Sequence, residues 1–259
     1  MKIKQIALIA IYTLCTFGTL NVSARENLTV AVAANMQFVF NELKAEFKKQ
    51  TGHNLQGVFS SSGKLVAQIS NGAAFDVFLS ADMTYPAALY QQGLTTAPPK
   101  LYGYGVLVLW SMREFDVKNW QAFLQDTAVH KIAIANPETA PFGVASLELL
   151  KTYKLDKVLK PRLVFAESIS QTNQYIYSGL VEAGFTSKSV VVSAEMKGKG
   201  VWTEMPRSAY APIAQGAVVL KIQQHNKQKT AQLFLDFLAS TTGKSILQRN
   251  GIEPVEGAL

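Results

Sequence analysis

Short apolar runs alternate with segments of helical spacing along this chain. The run LTVAVAANM at residues 28–36 is typical of a buried strand that breaks at Ala-Ala-Asn, and apolar residues then recur at helical spacing until Gly52. The run FDVFLSAD at residues 75–82 predicts a second strand, reached through a helix that begins after three consecutive serines. Strands and helices in this order predict an α/β fold with a largely parallel sheet.

The same alternation continues in the centre of the chain, between two long apolar strands near residues 106–109 and 217–220. This arrangement predicts two α/β lobes that are joined by two crossing segments. The first lobe is expected to comprise residues 25–108, the second residues 109–212, and residues 213–259 return to the first lobe and end in helices. Ligands of such folds bind at the carboxyl ends of the strands, in the crevice between the lobes.

The first 24 residues have the pattern of a secretory signal peptide. Lys2 and Lys4 precede an apolar stretch at residues 6–20, and small residues follow up to Ala24. A stretch of about 15 apolar residues is short against the roughly 20 that span a bilayer, which argues against a membrane anchor. We therefore expect export and cleavage near Ala24. Since Cys15 lies in this segment, the mature chain has no thiol for disulfides, metal sites or nucleophilic catalysis.

The formal charge of the whole chain is +7, and removal of Lys2 and Lys4 leaves a moderately basic mature protein. The basic residues are scattered and form no run of five or more, so nucleic acid is not expected as a partner. A weak positive field still favours small anionic ligands.

Three junctions between a strand and a helix are rich in hydrogen-bond donors: Ala34-Asn35, Ser61-Ser62-Gly63 and Pro141-Phe142-Gly143. Taken singly, each is explained as a helix cap, because Asn and Ser oxygens accept first-turn N–H groups. The same unpaired N–H groups and the positive end of the helix dipole also hold an anion without any cationic side chain. Several such junctions that converge from two lobes would form a donor-only cage for a deprotonated oxyanion.

The segment SSGK at residues 61–64 also matches the S-x-x-K nucleophile motif of penicillin-binding proteins and β-lactamases. The S-D-N and K-T-G elements that accompany it in those enzymes do not occur in this sequence. An exported serine acyl-transferase that uses Ser61 and Lys64 therefore stays a remote alternative. His53, His130 and His225 have no metal-ligand spacing, and we expect no metal ion or cofactor of the protein's own.

The segments VAVAANM, FSSSGKLVAQI, FDVFLSAD, NPETAPFG and YAPIAQGAVVL occur in this order along the chain. With them the chain resembles the periplasmic molybdate-binding proteins of ABC transporters over essentially its whole mature length. The resemblance implies a type II periplasmic binding fold, with two α/β lobes that each hold a mostly parallel sheet and close on molybdate or tungstate. It also implies a non-enzymatic periplasmic monomer that delivers its oxyanion to an inner-membrane ABC permease with its ATPase.

The resemblance assigns the oxyanion contacts to six positions: Asn35, Ser61, Ser62, Phe142, Ile169 and Ser187. Phe142 and Ile169 would contribute their main-chain N–H groups, and Ser61 would assist Ser62. Ser187 stands where some members carry a tyrosine hydroxyl. Because serine is shorter than tyrosine, a binding protein for sulfate or another small oxyanion on the same fold stays the alternative function.

Overall fold

The computed structural model describes residues 26–221 and 225–255, so the expected signal peptide and Cys15 lie outside the described residues. The described residues form eleven strands and ten α-helices. The strands are β1 (Asn27–Ala33), β2 (Asn54–Ser60), β3 (Val77–Leu79), β4 (Lys100–Gly105), β5 (Leu107–Ser111), β6 (Ile132–Ala135), β7 (Leu163–Ala166), β8 (Ala183–Ser187), β9 (Val201–Glu204), β10 (Ile213–Val219) and β11 (Glu253–Pro254). The helices are α1 (Gln37–Thr51), α2 (Ser62–Ser70), α3 (Thr84–Gln91), α4 (Trp120–Gln125), α5 (Pro141–Thr152), α6 (Asp156–Leu159), α7 (Ile169–Tyr177), α8 (Lys188–Val191), α9 (His225–Ala239) and α10 (Thr241–Arg249).

The strands form two separate sheets, one in each lobe. The first sheet has the order β11-β4-β10-β3-β1-β2, and the second has the order β7-β6-β8-β5-β9. The chain crosses to the second sheet after β4 and returns to the first sheet at β10. The α/β fold with two lobes is the one that the alternation of strands and helices predicts.

Both sheets are mixed, which corrects the expectation of mostly parallel sheets. The pairs of β1 with β2 and β3, and of β6 with β7 and β8, are parallel. By contrast, β10 runs antiparallel to β3 and β4, and β5 runs antiparallel to β8 and β9. These antiparallel pairs lie where the chain crosses between the lobes. Parallel neighbours need a crossover helix between them, and a strand that enters its sheet from the other lobe has no such helix before it.

The first crossing between the two sheets is short. β4 ends at Gly105 in the first sheet and β5 begins at Leu107 in the second, so only Val106 separates them. The expected boundary after residue 108 therefore falls inside β5. The second crossing lies just before β10. The hydroxyl of Tyr210 in this crossing accepts the backbone N–H of Leu107, which ties the two crossings together.

Helix α1 shows how the local pattern produces the first lobe. Its buried residues are Val39, Phe40, Leu43 and Phe47, the apolar residues whose spacing predicts the helix. Gly52 ends the helix at a φ of 77°, a left-handed conformation that glycine adopts without a Cβ clash. The rings of Phe40 and Phe47 pack edge-on against Phe234 of α9, so the late return of the chain completes this core. Among the described helices, none is long and apolar enough to cross a membrane.

Candidate functional site

A small cavity with mostly buried lining residues lies where the two lobes meet, beyond the carboxyl ends of β1, β2, β6 and β7. Its volume is about 10 Å³, measured as space open to the centre of a water molecule, which suits one small group rather than an extended ligand. The lining comes from both lobes: Ala33, Ala34, Asn35, Ser61, Ser62, Ala81, Ala140, Pro141, Phe142 and Ile169. None of these ten side chains carries a charge, so any anion here is held by neutral donors.

Asn35 lies just after β1, in a single 3-10 turn that precedes α1. The side chain is 1% exposed. Its amide nitrogen donates to Oε1 of Gln215 at 3.1 Å, and its Oδ1 has no hydrogen-bond partner within the described chain. A buried polar atom without a partner costs folding free energy, so it indicates a site that is completed by something else.

Ser61 is the residue immediately before α2, and its backbone is extended there, as at an N-cap. Its hydroxyl nevertheless does not cap the helix, and Ser61 Oγ is buried without a partner in the part of the chain that the structure describes. The capping explanation therefore does not account for this serine. Its hydroxyl group is available to the cavity that it lines.

Ser62 is the first residue of α2 and is 1% exposed. Its Oγ accepts the backbone N–H of Ala81 at 3.0 Å, which occupies one lone pair and holds the side chain in place. A serine hydroxyl carries one proton as well as its lone pairs, so this contact leaves the proton of Ser62 for an acceptor in the cavity.

The second lobe contributes the starts of α5 and α7. Phe142 is the second residue of α5 and Ile169 is the first residue of α7, so their N–H groups have no acceptor within their own helices. Pro141 at the first position of α5 fixes a helical φ without adding a further donor. Gly143 allows α5 to pack tightly, because a Cβ at this position would lie 2.1 Å from the carbonyl oxygen of Ala135.

The structure thus brings together five of the six expected residues, and Ser187 is not among them. Ser187 lies at the end of β8, and its hydroxyl is 2.7 Å from that of Ser189. Ser189 in turn donates to the carbonyl oxygen of Asn35 at 2.7 Å, so the proton of Ser187 points to Ser189. This chain of hydroxyl groups supports the turn at Asn35 from behind, outside the cavity lining.

Several hydrogen bonds hold the two lobes together around the cavity. The backbone N–H of Gly63 donates to the carbonyl oxygen of Thr139 at 2.9 Å, and the Tyr85 hydroxyl donates to that of Glu138 at 3.1 Å. On the other side, Ser170 Oγ donates to Gln37 Oε1 at 2.7 Å. The cleft is therefore closed in this structure, and the donors of both lobes point to one place.

Lys64 joins the same contact between the lobes. Its Nζ lies 2.5 Å from Oε1 of Glu167, which stands at the end of β7 in the second lobe. This pair argues against an acyl-transferase that uses Ser61 and Lys64. The Lys64 amine is paired with a carboxylate across the cleft and is not placed to activate Ser61. Lys64 therefore bridges the two lobes in the closed structure.

Asp82 is an acidic residue close to the cavity, because it follows Ser80 and the lining residue Ala81 after β3. It is partly buried, and this burial raises the pKa of its carboxyl group. Its Oδ1 accepts from Ser80 Oγ at 3.0 Å and from the N–H of Tyr85 at 3.1 Å, so it supports the start of α3. Asp82 is not among the residues that line the cavity.

Gln215 is the main residue around the site that no motif in the sequence indicates. It lies on β10 at a bulge and is fully buried, although its neighbours in the strand are mostly apolar. A polar side chain in the middle of the run APIAQGAVV was the signal that could have pointed to it. Its contact with Asn35 joins residues 180 positions apart.

The closed cleft and its neutral, donor-lined cavity define a two-lobed solute-binding protein. A family model described as bacterial extracellular solute-binding protein matches residues 28–253. The chain belongs to this family, and it is a binding protein rather than an enzyme.

Two curated relatives are similar over most of their length. The molybdate-binding protein ModA of Azotobacter vinelandii is 36% identical, over 86% of this chain and 88% of the relative. ModA of Rhodobacter capsulatus is 35% identical, over 88% and 89% of the respective chains. The solved structure of the Azotobacter vinelandii periplasmic molybdate-binding protein matches with a TM-score of 0.83 and 32% identity, over 88% of this chain and all of that one.

The pair of Lys64 with Glu167 predicts a contribution to ligand affinity that depends on salt. We expect Lys64→Met to weaken oxyanion binding by about twofold to fivefold at low ionic strength, since pairs this exposed contribute up to about 1 kcal/mol. The difference should vanish in concentrated salt. Titration calorimetry of both proteins at two salt concentrations measures it. Lys49→Met is the matched control, because Lys49 pairs with Glu46 within the first lobe. Equal weakening in both variants would contradict a role in closure.

Proposed function

We propose that this protein captures molybdate or tungstate and delivers it to an ABC importer. The single observation that carries the proposal is the cavity between the lobes, which neutral residues of both lobes line. Asn35, Ser61 and Ser62 supply side chains from the first lobe, and Phe142 and Ile169 supply main-chain N–H groups from the second. Such a cage, formed without cations, suits a small tetrahedral dianion that needs hydrogen bonds on all sides.

The relatives support molybdate as the ligand. Both ModA proteins are named for molybdate binding, and each covers the chain from one lobe to the other. Tungstate has the same shape and charge as molybdate, so we propose that the cage accepts both. The likeness to a sulfate-binding protein of Mycobacterium tuberculosis, at 12% identity and a TM-score of 0.71, concerns the fold alone. Sulfate therefore enters as the competing ligand in the test.

The setting of the protein follows from the same proposal. We infer export by the signal peptide at residues 1–24, cleavage near Ala24 and action as a periplasmic monomer. The partner would be an inner-membrane permease with its ATPase, which accepts the oxyanion from the closed lobes. The role of the protein is capture and release, so molybdenum or tungsten would be cargo in its oxyanion form and not a resident cofactor.

Calorimetric titration of the purified mature chain with molybdate, tungstate, sulfate and phosphate tests this function. We expect molybdate and tungstate to bind at micromolar concentration or below, with sulfate and phosphate much weaker. A bound ligand should also raise the melting temperature, because it binds only the folded state. Absence of binding by both metal oxyanions would refute the proposal, and a clear preference for sulfate would establish the alternative.

A further inference from the structure

Behind Asn35 lies a buried chain of three polar side chains. The Asn35 amide nitrogen donates to Gln215 Oε1 at 3.1 Å, and the Tyr102 hydroxyl lies 2.8 Å from the same oxygen. Gln215 is fully buried and Tyr102 is 2% exposed. Of these three residues only Asn35 lines the cavity. Gln215 and Tyr102 are therefore connected to the cavity through Asn35.

The hydrogen bonds of this chain do not balance. The Tyr102 hydroxyl has two acceptors within reach, Gln215 Oε1 and the carbonyl oxygen of Ser80 at 3.1 Å, but it carries one proton. Burial raises the pKa of Tyr102, so the hydroxyl keeps that proton. In the described part of the chain, Gln215 Nε2 and Asn35 Oδ1 have no partner at all. Asn35 and Tyr102 thus donate one hydrogen bond each, while Gln215 Nε2 and Asn35 Oδ1 stay buried without a partner in the described chain.

Exchanging nitrogen and oxygen in both carboxamides leaves every heavy-atom position unchanged and gives a second arrangement. In it, the two protons of Gln215 Nε2 go to Asn35 Oδ1 and to the Tyr102 oxygen, and Tyr102 donates to Ser80. Three hydrogen bonds then replace two. The Asn35 amide nitrogen and Gln215 Oε1 are then the two atoms without a partner in the described chain, and Asn35 is the one of the two residues that lines the cavity.

We propose that Gln215, held by Tyr102, is the positioning residue that fixes the Asn35 carboxamide with its N–H group toward the anion, and that it thereby sets ligand specificity. The inference rests on the proposed oxyanion function and deepens it. With the nitrogen inward, the cage offers donors only, which suits a fully deprotonated oxyanion. With Oδ1 inward, the cage would offer an acceptor, the group that the proton of hydrogen phosphate requires. The orientation of the Asn35 amide would thus determine whether the site prefers molybdate or hydrogen phosphate.

The substitution Gln215→Glu tests this directly at about pH 10, where a carboxyl group whose pKa burial has raised to about 8–9 is largely ionised. A carboxylate only accepts hydrogen bonds, so it draws the Asn35 nitrogen away from the cavity and turns Oδ1 inward. We expect molybdate affinity to fall by about thirtyfold or more, and the ratio of molybdate to phosphate affinity to fall by about tenfold. Because molybdate and hydrogen phosphate are both dianions at this pH, the added negative charge largely cancels in that ratio.

The matched background is Asn35→Ser, in which a freely rotating hydroxyl replaces the amide and serves as donor or acceptor. There the substitution Gln215→Glu should change the affinity ratio by less than about twofold. Affinities are measured by calorimetry for molybdate and by competition for phosphate, and melting curves confirm that each variant folds. If Gln215→Glu fails to fold, Gln215→Met serves instead. For that variant we expect the ratio of molybdate to phosphate affinity to fall by about twofold to fivefold.

An unchanged ratio in a folded Gln215 variant would overturn the inference, and so would an equal change in the Asn35→Ser background. Neither result would affect the proposed function, because the unsubstituted protein would still bind molybdate. Failure of the unsubstituted protein to bind molybdate would refute the proposed function itself, and this inference with it.

Discussion

Replacing Gly63 with alanine is expected to weaken oxyanion binding by about tenfold or more while leaving the ligand-free protein at least as stable as before. A Cβ at this position would lie 2.7 Å from the Tyr85 hydroxyl and 3.0 Å from the Cα of Thr139, which belongs to the other lobe. Overpacking of this kind typically costs about 1–3 kcal/mol, and the cost falls on the closed state. Closure is the state in which all the donors reach one anion.

The same substitution should leave the free energy of unfolding of the ligand-free protein unchanged or raise it. Gly63 lies in the first turn of α2 with an ordinary backbone conformation, and alanine is the better helix former by up to about 1 kcal/mol. Calorimetric titration and thermal unfolding without ligand measure the two effects separately. The control is Gln68→Ala, at an exposed position of the same helix, which should change neither. Parallel loss of affinity and stability in Gly63→Ala would mean that the substitution damages the lobe rather than its closure.

Local features of the site could be predicted from the sequence because helix starts are encoded locally. Asn35, Ser62 and Phe142 each stand where a strand ends and a helix begins, so unpaired donors were expected at all three positions. The resemblance then added Ile169, which no spacing singled out. The structure places these four residues around one cavity.

Contacts between distant parts of the chain could not be predicted in the same way. The close approach of Gly63 to Thr139 and the bond between Asn35 and Gln215 depend on how the lobes meet. Neither leaves a periodic signal in the sequence. Ser187 illustrates the same limit, because the resemblance assigned it a ligand contact, while its hydroxyl is directed to Ser189. The antiparallel pairs at the crossings likewise depend on which lobe each strand joins.

The substitution Ser62→Ala is expected to weaken molybdate binding by about 1–3 kcal/mol, which corresponds to roughly fivefold to 150-fold in affinity. The reason is that the Ser62 proton has no acceptor of its own within the described residues, while the lone pair is used by the N–H of Ala81. Removing the hydroxyl leaves a buried anion one donor short. The matched control is Ser70→Ala at the exposed end of the same helix, which should bind as the unsubstituted protein does.

The same substitution also leaves the Ala81 N–H without its acceptor, so part of its cost falls on folding and not on binding. Melting of the ligand-free protein measures that part, and the ligand-induced rise in melting temperature measures the rest. A loss of stability with unchanged affinity would show that Ser62 serves only to hold the turn at Ala81. Because Ser61 Oγ lacks even that internal partner, Ser61→Ala should lower affinity without a comparable loss of stability. Comparison of the two variants thus distinguishes the two roles. Ser62 would both support the fold and bind the ligand, whereas Ser61 would serve the ligand alone.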